Sequence, residues 1–164
     1  MALGDNTLAS ARGNSQRGRN PYMVQNELNM ATALSDKGSA LAASDVIPVI
    51  SVEKGTMILN AGIEVVTATS AGTSTCDLGT GVDADCFVDG FNSASGTAAG
   101  VLSQNAAAFQ PIMCVADDNI DLTLATQSGT AMTTGKLRIW AVLMDCTDMG
   151  SDMTANEVAR DALA

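Results

Sequence analysis

Apolar and polar residues alternate over several short stretches of this chain, as they do in β-strands with one buried face. The clearest alternation follows Lys54-Gly55 and keeps a period of two over nine residues. The apolar face of the predicted strand comprises Met57, Leu59, Ala61, Ile63 and Val65. The opposite face comprises the polar or small residues Asn60, Gly62 and Glu64. We therefore expect this strand to cover a core with its apolar face.

Other segments repeat this pattern. Residues 136–145 predict a strand that turns one apolar row inward, namely Leu137, Ile139, Ala141 and Leu143. Further strands are predicted over 22–30, where Asn26 is the one polar interruption, and over 46–52 and 120–124, with shorter ones at 75–78, 85–88, 101–103 and 111–115. Gly, Ser, Thr, Asn and Asp separate these segments, for example at Gly79-Thr80-Gly81 and Asp89-Gly90. Eight or nine short strands spaced in this way are typical of an all-β sandwich or barrel.

Helical structure is a minor expectation. A helix over residues 23–34 competes with the strand over 22–30, but its apolar stripe is poorer. Residues 39–44 are compatible with one helical turn. Thr154 and Glu157 match a capping box, which predicts a short helix over 155–163 that needs to dock on the body to be stable.

The two ends of the chain differ from its middle. Residues 1–20 contain three arginines and one aspartate, a net charge of +2, whereas the other 144 residues carry five cations and 17 acids, a net charge of −12. The first segment is rich in Gly, Asn, Ser and Gln and has no hydrophobic period. We predict an extended N-terminal arm over residues 1–20, a β-sandwich over 21–146 and a C-terminal tail over 147–164.

Composition excludes several classes of function. The chain has no histidine and a net charge of −10, so it lacks the commonest general base and repels phosphate backbones. Five aromatic residues are few for a protein that stacks sugars or bases. No apolar stretch approaches the ~20 residues of a membrane-spanning helix, and no signal peptide is recognisable. We expect a soluble, non-enzymatic protein with no cofactor, nucleic-acid partner or membrane partner.

The order of segments resembles a known family. An N-terminal polar arm precedes PYMVQNELN, DVIPVISVEKGTMILNAGIEVVTA, DLGTGVDADCFVDG, DNIDLTLAT and GKLRIWAVLMDC. This succession over residues 21–146 is similar to small jelly-roll proteins of tailed bacteriophages that decorate, or cement, the capsid, commonly as trimers. The resemblance implies an all-β jelly-roll β-sandwich of about eight strands. Its motifs belong to the fold and mark no catalytic site.

The resemblance also implies a role. The chain is expected to be made in the host cytoplasm, to form a homotrimer and to bind the major capsid protein on the outside of the phage head, where it stabilises the shell. Twenty extended residues reach up to ~66 Å, so the arm can contact a neighbour. Its predicted interface residues are Arg12, Arg17, Arg19, Tyr22 and Met23. The alternative is a receptor- or carbohydrate-binding jelly roll of a phage tail or adhesin.

Two groups of acids carry weaker predictions. Asp77, Asp83, Asp85 and Asp89 supply hard oxygen ligands that suit Ca²⁺, but position six of an EF-hand loop is Val88 and position twelve is Ala94, so solvated turn acids are the favoured interpretation. Asp117, Asp118 and Asp121 invite comparison with the carboxyl pair of glycosidases. Turn chemistry accounts for the first two, and we predict no catalysis there.

Cysteine and tryptophan complete the candidates. Cys76, Cys86, Cys114 and Cys146 have no zinc-binding spacing. Cys76 and Cys86 would lie side by side if a hairpin joined them, although reduced, separate thiols are expected in a cytosolic product. Trp140 shares a strand face with Arg138, which leaves a cation–ring pair, a subunit contact or core packing open.

Overall fold

The computed structural model describes residues 20–105 and 110–146, together with the backbone of residues 9–10. This part of the chain forms ten strands and one helix. In chain order they are β1 (Ala9–Ser10), β2 (Tyr22–Asn29), α1 (Met30–Lys37), β3 (Val46–Val52), β4 (Thr56–Thr67), β5 (Thr73–Thr80), β6 (Val88–Asn92), β7 (Leu102–Gln104), β8 (Ile112–Met113), β9 (Asp118–Ser128) and β10 (Lys136–Asp145).

The strands form two sheets that pack as a jelly-roll sandwich. Sheet A has the order β1-β3-β9-β5-β6, and sheet B has the order β2-β10-β4-β7, with β8 also paired to β4. All pairings are antiparallel except that of β1 with β3. Along the chain the strands cross repeatedly between the sheets, so that early and late strands become neighbours, as in two interlocked Greek keys. The predicted all-β jelly-roll sandwich is confirmed.

An aliphatic core lies between the sheets. The predicted inward row of β10 is fully buried, and the alternate residues Ile120, Leu122 and Leu124 of β9 face it from sheet A, equally buried. Strand β9 lies between β3 and β5 in sheet A, and strand β10 lies between β2 and β4 in sheet B. The two central strands therefore carry the period-two pattern without interruption on their inward faces.

The predicted face of β4 is wrong over its first half. The alternation predicts that Met57 and Leu59 face the core, but Ile58 is the buried residue and its two neighbours are only half-buried. The cause is a β-bulge, because Val142 pairs with Asn60 whereas the next residue, Leu143, pairs with Ile58. The extra residue reverses which side chains face the core. The predicted phase holds from Ala61 to Val65.

The segment after β2 folds as a helix, which corrects the strand prediction at Met30. Asn29 caps α1, since its side chain accepts a hydrogen bond from the Ala31 amide at 3.0 Å. Gly38 ends the helix with φ +69°, and its amide donates to the carbonyls of Leu34 and Ser35. Residues 39–44, predicted as a helical turn, are not helical. The competing helix over 23–34 is also wrong, because β2 extends to Asn29.

The predicted Asp89-Gly90 turn lies inside strand β6. Cys76 pairs with Phe91 and Leu78 pairs with Val88, so one residue of β5 faces two of β6. Gly90 takes φ +65° in this bulge, and its amide donates to Asp77 Oδ1 at 2.8 Å. The reversal between β5 and β6 is therefore made by residues 81–87, after Gly79-Thr80 has ended β5.

No helix among the described residues has the length and apolar character to cross a membrane. The helix predicted over 155–163 lies outside the described residues.

Candidate interaction surfaces

The predicted interface residues at the start of β2 point in opposite directions. Tyr22 is buried, and its hydroxyl donates a hydrogen bond to Asp145 Oδ1 at 2.9 Å. Met23 is 56% exposed and lies opposite Val142 on the outer face of sheet B. Tyr22 thus fastens β2 to the body, while Met23 is available on the surface. Arg12, Arg17 and Arg19 lie outside the described residues.

Charged side chains occupy one part of the outer face of sheet B. Glu27 of β2, Arg138 of β10 and Glu64 of β4 are in register across three strands. Arg138 contacts Glu64 at 2.9 Å and Glu27 at 4.0 Å, and Lys136 contacts Glu27 at 2.6 Å. The hydrogen bond from Lys136 lowers the pKa of Glu27. The pair of Lys136 with Glu27 is exposed and contributes little to stability. The pair of Arg138 with Glu64 is half-buried.

Trp140 follows in the next row of the same face. Its partner on β4 is Gly62, and a Cβ on Gly62 would come within 2.6 Å of the Trp140 ring. The half-buried indole therefore lies against the backbone of its own sheet. The neighbouring Arg138 guanidinium is engaged by carboxylates. The ring is held against β4 and does not stand out from the surface as a sugar-stacking platform.

The other part of this face is apolar. Met144 of β10, Met57 of β4 and Met113 of β8 are paired in register and form a row of three methionines across the sheet. Met113 is 39% exposed. Flexible, polarisable thioethers are common on surfaces that adapt to a protein partner. We call these three residues the methionine row.

The methionine row leads into a cleft of about 440 Å³ at the end of the sandwich. One wall is the end of β5 and the turn that follows it, with Thr80, Val82, Asp83 and Cys86. The other wall is residues 112–118, from β8 to the start of β9. Val82 and Val115 are 93% and 81% exposed. The cleft thus combines an apolar rim with the carboxylates of Asp83, Asp117 and Asp118.

Hydrogen bonds hold the first wall in place. The Thr80 amide donates to the Asp83 carbonyl at 2.7 Å, and the Phe87 amide donates to the Leu78 carbonyl at 2.9 Å. The amides of Val82 and Asp83 donate to Thr80 Oγ1 at 3.3 and 3.4 Å. A Cβ on Gly79 would lie 2.1 Å from the Asp83 carbonyl oxygen. The turn therefore requires glycine at position 79 and is closed by its own hydrogen bonds.

The second wall is tied to the turn between β3 and β4. The Cys114 amide donates to the Thr56 carbonyl at 2.9 Å, and its carbonyl accepts from the Gly55 amide at 2.7 Å. Asp117 Oδ1 accepts a hydrogen bond from the Lys54 amide at 2.9 Å. Both walls are thus anchored to the sheets on which they stand.

The field around the cleft is negative. Burial and then Asp83 raise the pKa of Cys86, to about 11. Burial and then Asp118 raise the pKa of Cys114. Within the described part of the chain, ion pairs join Lys37 with Asp45 and the cations of β10 with Glu27 and Glu64. None of those pairs involves a carboxylate of the cleft.

The structure gives no geometric support to the two less favoured interpretations of these acids, a calcium site and a glycosidase carboxyl pair. Among the described residues, no three or more Asp, Glu, Cys or His side chains converge on a point that suits a metal ion. Asp77 accepts the Gly90 amide in the β6 bulge, and Asp85 hydrogen-bonds Asp83, which raises the pKa of Asp85. Asp117 caps the β3–β4 turn. These acids organise turns and bulges.

Cys76 and Cys86 do not lie side by side. Cys76 is opposite Phe91 in the β5–β6 pairing, and its thiol lies 3.0 Å from Ser93 Oγ. Burial raises the pKa of Cys76 to about 12. Cys86 sits at the cleft, and all four cysteines are free thiols. The strand that pairs with β5 begins at Val88, so Cys86 lies in the turn before it and not opposite Cys76.

We expect Asp121→Asn to raise the melting temperature at pH 7 and to change it little at pH 4. Burial, followed by repulsion from Asp118, raises the pKa of Asp121 to about 6, above the ~3.9 of an unfolded chain. The folded state therefore binds the proton more tightly, and the ionised form opposes folding above pH 6. Thermal melts at pH 4, 5.5 and 7 test this, with Asp89→Asn as the control. An equal change at pH 4 and pH 7 would contradict the assignment.

Sequence reasoning missed the cleft. Its walls come from segments about 30 residues apart, and the alternation pattern does not pair them. One signal was present at Val82, which interrupts a turn of polar and small residues in GVDAD. Val115 carried no such signal, because the strand predicted over 111–115 included it, whereas β8 ends at Met113. An isolated valine in such a turn has no strand face to occupy and is a candidate for surface exposure.

No family model matches the chain, and no curated protein matches its sequence. Chains in phage capsid structures share its fold. One is in the cyanophage Pam1 capsid asymmetric unit, with a TM-score of 0.59 and 14% identity, covering 82% of this chain and 90% of that chain. Another is in the capsid of Ralstonia phage GP4, with a TM-score of 0.58 and 13% identity, covering 80% and 88%.

At this low identity the similarity shows the fold alone. The aligned portions are nearly the whole of each capsid chain, so the common unit is the complete jelly roll and not a single hairpin. A third similar chain occurs in the acidic stable capsid structure of Helicobacter pylori bacteriophage KHP30, with a TM-score of 0.50 and 13% identity, covering 75% of this chain and 85% of that chain.

Proposed function

We propose that this chain is a structural protein of a bacteriophage virion, a decoration or cement protein that binds the outside of the head and stabilises the shell. The observation that carries the proposal is the likeness of its whole jelly roll to chains of the Pam1 and GP4 capsid structures. The sequence resemblance to phage decoration proteins over residues 21–146 points the same way.

The surface suits adhesion to protein. A stable contact buries about 1,200–2,000 Å² and needs apolar anchors within a polar rim. Met23 and the methionine row supply apolar side chains at one end of the outer face of sheet B, and the charged row of Glu27, Arg138 and Glu64 lies on the same face beyond the row of Trp140. Such a surface binds by area and complementarity, without bond-making chemistry.

Assembly as a homotrimer would multiply modest contacts. When three linked copies engage neighbouring copies of the major capsid protein, each bound copy raises the effective concentration of the others at their sites. Such a protein would be made in the host cytoplasm and added to the outer surface of the head. Each single contact then needs only a modest affinity.

The N-terminal arm contributes charge in this proposal. Ala9 and Ser10 pair with Ile50 and Ser51 of β3, so the segment that carries Arg12, Arg17 and Arg19 is joined to the body both at β1 and at Tyr22. The arginines would contact an acidic surface of the shell or of a sister copy. Tyr22 would hold the end of the segment, and Met23 would add an apolar contact beside it.

A triple Arg12→Gln, Arg17→Gln, Arg19→Gln variant tests this role. We expect its occupancy on phage heads to fall about tenfold at low salt, because charge attraction mainly sets association, and the melting temperature of the decorated shell to fall with it. The control is the triple Arg→Lys variant at the same positions, which keeps the charge. Unchanged occupancy and shell melting in the glutamine variant would remove the arm from the mechanism.

A further inference from the structure

We propose that the cleft between the β5–β6 turn and residues 112–118 binds a segment of the shell polypeptide that presents an apolar side chain beside a lysine or arginine. This inference rests on the proposed function and adds to it the surface and the chemistry of the contact. It concerns a part of the molecule remote in sequence from the N-terminal arm.

The apolar half of the site is exposed in the part of the chain that the structure describes. Val82 and Val115 line the cleft and are almost fully exposed to solvent, and Met113, the member of the methionine row that lines the cleft, is 39% exposed. Cys86, Ile112 and Cys114 form the more buried part of the lining. A cleft of about 440 Å³ lies within the ~300–1,000 Å³ range of protein ligand sites. It accommodates one or two large apolar side chains.

The extent of the apolar surface favours a polypeptide. A small molecule held inside the cleft would leave Val82 and Val115 exposed at its rim and would not reach the methionine row. A chain segment that crosses the rim covers both, and contiguous exposed apolar surface of this kind marks protein contacts. Continuity from the cleft to Met113, Met57 and Met144 gives such a segment a path onto the outer face of sheet B.

The carboxylates among the lining residues of the cleft indicate the charge of the partner. Asp83, Asp117 and Asp118 line the cleft. Lys37, Lys136 and Arg138 make their ion pairs with carboxylates outside it. Asp117 and Asp118 each accept a hydrogen bond from a backbone amide, but an amide does not neutralise a carboxylate. An apolar side chain alone would therefore fill the cleft and desolvate this charge without a counter-ion. A lysine or arginine next to it in the partner would pair with them. The hydrogen bonds that close both walls mean that little ordering is required on binding.

The test measures binding to phage heads produced from a genome in which this gene is disrupted. Val82→Ser with Val115→Ser is expected to weaken binding about tenfold or more, and Asp83→Asn with Asp117→Asn and Asp118→Asn is expected to weaken it and to reduce its salt dependence. The matched control is Val46→Ser with Val101→Ser, two exposed valines at other positions of the sandwich, which should bind as wild type does. Both valine variants should melt within about 2 °C of wild type because they alter exposed side chains. Asparagine at position 117 keeps an oxygen that accepts the Lys54 amide, and the melting temperature of the triple Asp→Asn variant is measured so that a change in stability is separated from a change in binding.

Each outcome decides the inference. If wild type binds the heads and both cleft variants bind equally well, the cleft inference is wrong and the decoration role stands. If the wild-type protein does not bind the heads, both the cleft inference and the decoration role are wrong. If Val82→Ser with Val115→Ser dissociates a free trimer into monomers, a sister copy fills the cleft. A Val115→Cys variant reports whether the chain's own N-terminal arm fills the cleft. If the thiol of the free protein reacts faster once Arg12, Arg17 and Arg19 are replaced by glutamine, the arm had been covering it. Either of the last two results contradicts a shell partner.

Discussion

Replacing Leu122 with alanine is expected to lower the free energy of unfolding by about 3 kcal/mol. Leu122 is fully buried at the centre of β9, where it lies between Ile47 of β3 and Leu78 of β5. Because both flanking strands are held in a continuous sheet, the structure has little freedom to collapse into the space left by the missing atoms. Urea unfolding followed by circular dichroism measures the loss.

The adjacent residue supplies the control for this substitution. Thr123 is the next residue along β9 and points to the outer face of sheet A, where it is half-buried. We expect Thr123→Ala to cost less than about 1 kcal/mol. Similar losses for the two variants would mean that β9 does not have one core face and one outer face.

Gly79→Ala is expected to destabilise the fold by about 3 kcal/mol, the upper end of the usual cost of overpacking. An added Cβ would lie 2.1 Å from the Asp83 carbonyl oxygen and 2.2 Å from the Ala84 carbonyl carbon. Both atoms belong to backbone, so no side-chain rotation relieves the contact. The 81–87 turn would have to shift, and with it the first wall of the cleft. Chemical denaturation measures the stability, and head binding measures the cleft.

Gly96→Ala is the matched glycine control. Nothing lies within 4 Å of a Cβ at Gly96, and its φ is not in the left-handed region. We expect a change of at most about 1 kcal/mol, in either direction. If Gly79→Ala were as harmless as Gly96→Ala, the close packing of the β5–β6 turn would be incorrect.

Alternation predicted the fold well where strands are regular. In β9 and β10 the inward row is unbroken, so the apolar positions read from the sequence are those of the core. In β4 the bulge between Ile58 and Asn60 shifts the phase, and periodicity alone carries no signal for an inserted residue. The Asp89-Gly90 turn failed for a related reason, since Gly at positive φ serves bulges as well as turns.

The interaction surfaces were less predictable than the fold. Alternation along β2 separates Tyr22 from Met23, so their opposite orientations follow from the strand prediction. The methionine row depends on strand register, because Met57, Met113 and Met144 come from three segments. The cleft depends in addition on how the β5–β6 turn approaches residues 112–118. Neither register nor loop approach is encoded in local sequence periodicity.

A reconstruction of the intact phage head at side-chain resolution tests the central proposal most directly. We predict density for this jelly roll on the outer surface of the shell, in three-fold groups, with Val82 and Val115 covered by a segment of the major capsid protein. Density for this chain only in the tail, or its absence from the virion, would contradict the account.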